Sequence, residues 1–176
     1  MNNENFHGEN SFKIHIKKAT EKDVPLILSF IKGLAEYERL TRECVATEEL
    51  LRDSLFGNNR SAEVVIAFFG NTPAGFALFF HNYSTFLAQP GIYLEDLYVI
   101  PEMRRKGIGR ALLVFIAQLA KERKCGRMEW SVLDWNDSAI LFYKKLGAVP
   151  LTDWTMFRIV GKTLDRLAAE INDINQ

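Results

Sequence analysis

From Ile92 to Leu133 the chain reads as an apolar run, a basic glycine-bearing loop, a long amphipathic stretch and a second apolar run. Ile92 to Ile100 is predicted as a strand ended by Pro101, Gly107 to Lys124 as a helix, and Arg127 to Leu133 as the next strand. Two strands joined through a helix pair in parallel, so helices must lie against a sheet. Upstream, Glu63 to Phe69 and Ala74 to His81 are apolar strands joined by the hairpin turn Gly70-Asn71-Thr72-Pro73. Asn82 to Gly91 reads as a loop. An antiparallel block followed by a βαβ unit predicts an α/β chain: a mixed, mostly antiparallel central sheet with helices on both faces.

Phe12 to Lys18 alternates apolar and polar residues and is predicted as a strand, with His15 on its outward face beside Lys13 and Lys17. Thr20 with Asp23 marks a helix start, and Val24 to Leu40 keeps helical periodicity with Pro25 in its first turn. Thr47 caps a short helix that stops near Gly57. Asn136 caps a helix running through Leu146, closed by Gly147. Trp154 to Val160 is predicted as a last strand, and Lys162 to Ile171 as a helical tail. Residues 1–11 read as a disordered tail and 12–176 as a single domain, as suits 176 residues.

Lys plus Arg and Asp plus Glu number 22 each, a balance that argues against a general nucleic-acid binder. Cys44 and Cys125 form no metal-ligand spacing, so no metal is expected, and two unpaired thiols suit a reducing, cytoplasmic compartment. No apolar run reaches the ~18 residues of a membrane span, and the N-terminus lacks the pattern of a secretory signal.

The chemistry concentrates after Val99. Pro101 ends the strand, Arg104, Arg105 and Lys106 follow, and Gly107, Ile108, Gly109 and Arg110 open the long helix. Glycines let backbone N–H groups approach a ligand, and a helix start adds unpaired donors and a positive dipole end. Together with the cations these make an anion site suited to a diphosphate. A solvated basic turn is the competing reading. A dinucleotide fingerprint fails because Leu112 stands at the third glycine position, and a Walker loop fails because no Gly-Lys-Ser/Thr follows.

The spacing Arg104-x-x-Gly107-x-Gly109 between strand and helix resembles the acyl-CoA signature of the GNAT acetyltransferases. Leu34-Ala-Glu-Tyr-Glu38, Tyr93-Leu-Glu-Asp-Leu-Tyr-Val99, Val132-Leu-Asp-Trp-Asn136 and Leu141-Phe-Tyr-Lys-Lys-Leu-Gly-Ala148 resemble the diamine and polyamine branch. The Val-Leu-Asp-Trp-Asn form is most similar to the enzymes that acetylate thialysine. The resemblance covers about residues 12 to 160 in order.

It implies a GNAT fold, acetyl-CoA as co-substrate, a small cationic amine as acceptor, direct transfer in a ternary complex, and a homodimer. It implies that Tyr143 protonates the departing sulfur; phenols, with an ordinary pKa of about 10, keep the proton needed. The plain alternative is that Phe142 and Tyr143 pack on the sheet. It implies that Glu95, the first acid of the pair, contacts the amine as a catalytic group. One carboxylate of Glu95 and Asp96, through water, accepts the amine's proton while the other holds a second charged group; a structural ion pair is the alternative. The two carboxylates, mid-strand, are expected on opposite faces. Tyr37, Glu38 and Trp154 border the amine pocket by resemblance. Leu97, Tyr98, Val99, Asn136 and Ser138 join Arg104 to Arg110 and Tyr143 in holding the CoA. Only Leu151-Thr-Asp153 precedes Trp154 where the family carries more acids, which argues against long polyamines. A protein lysine or N-terminal acetyltransferase, or a non-catalytic CoA sensor, remains the alternative.

Overall fold

The computed structural model describes residues 13–171. Its elements run β1 (Ile14–Lys18), α1 (Val24–Tyr37), α2 (Glu48–Phe56), β2 (Glu63–Phe69), β3 (Thr72–Ser84), β4 (Gln89–Val99), α3 (Ile108–Glu122), β5 (Arg127–Trp130), α4 (Asp137–Lys145) and α5 (Gly161–Ala169). The chain divides into two compact units between Leu133 and Asp134.

The first unit holds a five-stranded sheet in the order β1-β2-β3-β4-β5. The first four strands pair antiparallel, and β5 joins β4 in parallel. Val64 to Ala67 on β2 are all buried, as expected of a strand covered on both faces. Val64 and Ile66 pack in one cluster with Phe76, Tyr98 and the inner residues of α1 and α2. The opposite face meets α3, which buries Ile108, Leu112, Leu113 and Ile116. Each such side chain contributes about 1.5–3 kcal/mol. At the far end of α3, Arg123 forks onto the Glu63 carboxylate, one bond measuring 2.8 Å. The short connection from Val99 to Ile108 keeps the N-terminus of α3 at the end of β4.

Several expectations hold to within a residue or two. Thr20 and Asp23 form a reciprocal capping box ahead of α1, and the Thr47 hydroxyl accepts from Leu50 N at 3.2 Å. His15 is exposed on β1, stacked on Phe68 at 5.0 Å. Phe12, at the expected start of β1, lies outside the described residues, as does the disordered tail expected at residues 1–11.

Two expectations are corrected. Asn82 to Gly91 is no loop: Asn82 pairs with Gly91 and Ser84 with Gln89, so β3 and β4 extend into a long ribbon turned at residues 85–88. Trp154 to Val160 forms no strand, and among the described residues of the second unit the regular elements are α4 and α5. The segment has strand-like alternation, but a strand's backbone groups need a pairing partner, and among the described residues none pairs with it. Trp154 is 75% exposed and Phe157 89%.

Candidate active site

The loop after β4 is set by backbone conformation. Pro101–Met103 makes one turn of 3-10 helix, then Arg105 (φ 63) and Gly107 (φ 84) adopt left-handed conformations. Gly107 is the N-cap of α3, has no side chain to cap with, and its carbonyl accepts the first helical bond, from Ala111 N at 2.9 Å. The N–H groups of Ile108, Gly109 and Arg110 therefore have no acceptor inside the helix. A Cβ on Gly107 would meet only Ile14 Cδ1 at 3.8 Å. Its φ, not crowding, demands glycine there. Arg105, Lys106 and Arg110 are exposed around these donors, Lys106 Nζ standing 5.1 Å above the Phe69 ring. Free amides, a helix N-terminus and three exposed cations fit a diphosphate.

The strand leading into this loop is open along one side. β5 pairs with β4 only from Gly91 to Leu94, so beyond Leu94 the β5-facing edge of β4 has no strand beside it among the described residues. Leu97, Tyr98 and Val99 lie on that stretch. An unpaired edge offers backbone donors and acceptors to an extended ligand.

β4 also carries a bulge. Leu78 pairs with Asp96 but Phe79 pairs with Leu94, so Glu95 is an extra residue with nothing opposite. The bulge breaks the alternation expected for this strand. Leu94 and Leu97, three apart, pair with Phe79 and Ala77 and so share the face that meets α3. Asp96 pairs with Leu78, which pairs with Val64, on the face covered by α1 and α2. Glu95 is exposed and Asp96 half-buried. Burial first, then the charges of Glu95 and Glu38, push the Asp96 carboxyl up to about 7. Burial also raises the Glu38 carboxyl, at the C-cap of α1. Glu38, Glu95 and Asp96 thus share one acidic corner, and Tyr37 precedes Glu38 at the end of α1. A carboxylate poised near neutral pH suits proton acceptance.

Arg104 stands apart from the other cations of the loop. Its Nε donates to the Val99 carbonyl at 3.1 Å, and its guanidinium lies 4.3 Å from the Tyr37 ring centroid and 5.9 Å from that of Tyr98. The sequence shows its charge next to the glycines but gives no sign of the two rings it lies on.

In the second unit, Asn136 caps α4, its Oδ1 accepting from Ala139 N and from the Ser138 hydroxyl, each at 3.2 Å. Tyr143 is half-buried on α4, 5.4 Å from Phe142 between ring centroids. Gly147 (φ 89) closes the helix. Among the described residues no group of His, Cys, Asp and Glu could hold a metal ion, and no helix is long and apolar enough to cross a membrane.

A family model described as Acetyltransferase (GNAT) family matches residues 31–148. The chain belongs to the GNAT acetyltransferases. Its relatives include the thialysine N-epsilon-acetyltransferase of Caenorhabditis elegans, 40% identical and covering 82% of this chain and 90% of that one. The L-ornithine N5-acetyltransferase of Arabidopsis thaliana is 34% identical, covering 86% of each chain. Among solved structures, an integron cassette protein from the mobile metagenome of V. cholerae superposes with a TM-score of 0.74 at 27% identity, covering 88% of this chain and 97% of that one. GNAT acetyltransferases use acetyl-CoA. The matched segment includes both the αL loop with the free amides of α3 and the Glu95–Asp96 bulge.

Proposed function

We propose that this chain transfers the acetyl group of acetyl-CoA directly to the side-chain amine of a small cationic acceptor of the thialysine, lysine or ornithine kind. The observation that carries the reading is the corner of Glu38, Glu95 and Asp96, where burial first, and then the charges of Glu95 and Glu38, raise the Asp96 carboxyl. An ammonium group supplies a positive charge to match. Two relatives named for thialysine and ornithine support this substrate class.

Acetyl-CoA, when bound, supplies a thioester carbonyl and a thiolate leaving group. The amides of Ile108 to Arg110, with Arg105 and Lys106, hold its diphosphate, and the open edge at Leu97 to Val99 lies along its arm. Asn136 and Ser138 contribute to the same hold. Glu38 and Glu95, with Tyr37 and Trp154, retain the ammonium form. Asp96 takes the ammonium proton, directly or through water, freeing the nitrogen lone pair to form the new C–N bond. As the C–S bond breaks, Tyr143 gives its proton to the sulfur. Residues 12–176 act as one acetyltransferase domain; the matched stretch 31–148 runs across the division at Leu133.

The test is release of CoA thiol with thialysine, lysine, ornithine, putrescine and spermidine. Thialysine or ornithine is expected to turn over fastest, and Tyr143→Phe to lower kcat at least tenfold. Turnover of a peptide but of none of these amines overturns the small-amine reading. Binding of acetyl-CoA without any turnover favours a sensor.

A homodimer belongs to this proposal. Val149, Trp154, Met156 and Phe157 expose large apolar surface within one short segment, which a lone chain in water seldom leaves uncovered. Sedimentation equilibrium is expected to give twice the 20.2 kDa chain mass; a monomer at micromolar concentration rejects it.

A further inference from the structure

Within the arginine-glycine loop, the structure assigns Arg104 to the acceptor side of the site: we infer that it is a positioning residue for the amine pocket, and that the diphosphate is held by its neighbours instead. The inference rests on the proposed amine-acetylating function and departs from what the loop's spacing implies.

Three contacts carry it. The guanidinium lies against the Tyr37 ring at 4.3 Å, with Tyr98 at 5.9 Å. Its Nε is committed to the carbonyl of Val99, the last residue of β4. It is also half-buried, whereas Arg105, Lys106 and Arg110 are exposed. A guanidinium that turns back onto two rings and a strand end is poorly placed to reach outward for phosphate. What it does reach is the end of α1. Tyr37 is the last residue of that helix and Glu38 its C-cap. Glu38 in turn is close enough to Asp96 to raise its pKa.

Gly33 allows this arrangement. A Cβ there would stand 2.6 Å from the Tyr98 hydroxyl, so α1 rides directly on Tyr98 and the Tyr98 ring lies beside Arg104. Arg104 thus links β4, where Asp96 sits, to the last turn of α1, where Glu38 sits. It fixes the spacing between Glu38, which holds the ammonium group, and Asp96, which takes its proton. A planar guanidinium can stack on a ring and donate sideways at once; a lysine ammonium offers a point charge without the planar fork.

The experiment compares Arg104→Gln and Arg104→Lys with the unsubstituted chain. Calorimetry gives the Kd for acetyl-CoA, and steady-state rates at saturating acetyl-CoA give KM for the best amine. Arg104→Gln is expected to raise the amine KM about three- to tenfold, the loss of a partly buried cation–π contact, while the acetyl-CoA Kd stays within twofold. Arg104→Lys is expected to leave the amine KM raised. The inference is overturned if Arg104→Gln weakens acetyl-CoA binding several-fold and Arg104→Lys restores it. It is equally overturned if both constants move together or neither moves. Should Arg104→Gln not fold, Arg104→Lys carries the same comparison. If the unsubstituted chain acetylates no amine, the proposed function fails, and the Kd values still show separately whether Arg104 serves the diphosphate.

Discussion

Asp96→Asn is expected to make the protein more stable at pH 8 and about a hundredfold slower in kcat/KM for the amine. Both effects follow from the same carboxyl. Burial and the charges of Glu95 and Glu38 raise it from an ordinary 3.8 to about 7. An acid whose folded pKa lies above its unfolded value keeps a proton in the folded chain that the unfolded chain has released. Its contribution to stability therefore falls as pH rises from about 4 to about 7. Above that range the folded chain carries a desolvated negative charge, at a cost of order 4 kcal/mol at most. Asparagine removes that charge, so the melting temperature at pH 8 should rise, by roughly 5–10 °C for a chain of this size. The advantage should shrink towards pH 5, where Asp96 is protonated. Activity should show the complementary trend. kcat/KM should climb with pH through about 7 as Asp96 becomes able to accept a proton, and Asp96→Asn should remove that limb. If the variant keeps normal rates and the limb persists, another group is the proton acceptor; if stability at pH 8 is unchanged, the carboxyl is better solvated than its surroundings imply.

Gly107→Val is expected to weaken acetyl-CoA binding at least tenfold by calorimetry. The position has room for a Cβ, since only Ile14 Cδ1 stands nearby at 3.8 Å. The penalty comes from φ 84, a left-handed conformation costing an ordinary L-residue about 1–2 kcal/mol and worse for a β-branched one. Relaxing that strain rotates the N-cap and turns the amides of Ile108 to Arg110 away from their common target. Gly107→Ala should fall between glycine and valine. Unaltered heats in both variants would mean the anion is bound elsewhere.

Local signals carried most of the fold. Glu63 to Phe69 was readable to the residue because β-branched and aromatic runs are bounded there by turn formers. Thr47 and Asn136 announced their helices through side chains that do cap them. Where structure depends on a distant partner, the sequence is silent. Trp154 to Val160 has the alternation of a strand, yet pairing is a property of two segments. Asn82 to Gly91 holds Pro90 and Gly91, residues that signal turns, and only their pairing with Tyr83 and Asn82 shows that they lie in an extended ribbon.

The site was legible in kind more than in geometry. Charge and glycine spacing point to the anion loop, but Arg104 lies on Tyr37, 67 residues earlier in the chain, and that stacking has no local trace. The acidic pair was visible, its bulge less so. One clue was present: Leu94 and Leu97 are both large and apolar but three apart, an odd interval for a strand unless one residue is skipped.

That skipped residue has a consequence for anyone who would borrow this chemistry. The side of the sheet on which Asp96 lies is decided by counting, since one unmatched position in β4 shifts everything after it by a half-period of the pleat. Grafting Leu-Glu-Asp-Leu onto a straight strand of another scaffold would reproduce the letters and put either an acid or a leucine on the wrong side. The transferable unit is the mismatch in length between two neighbouring strands, and the carboxylate travels with it.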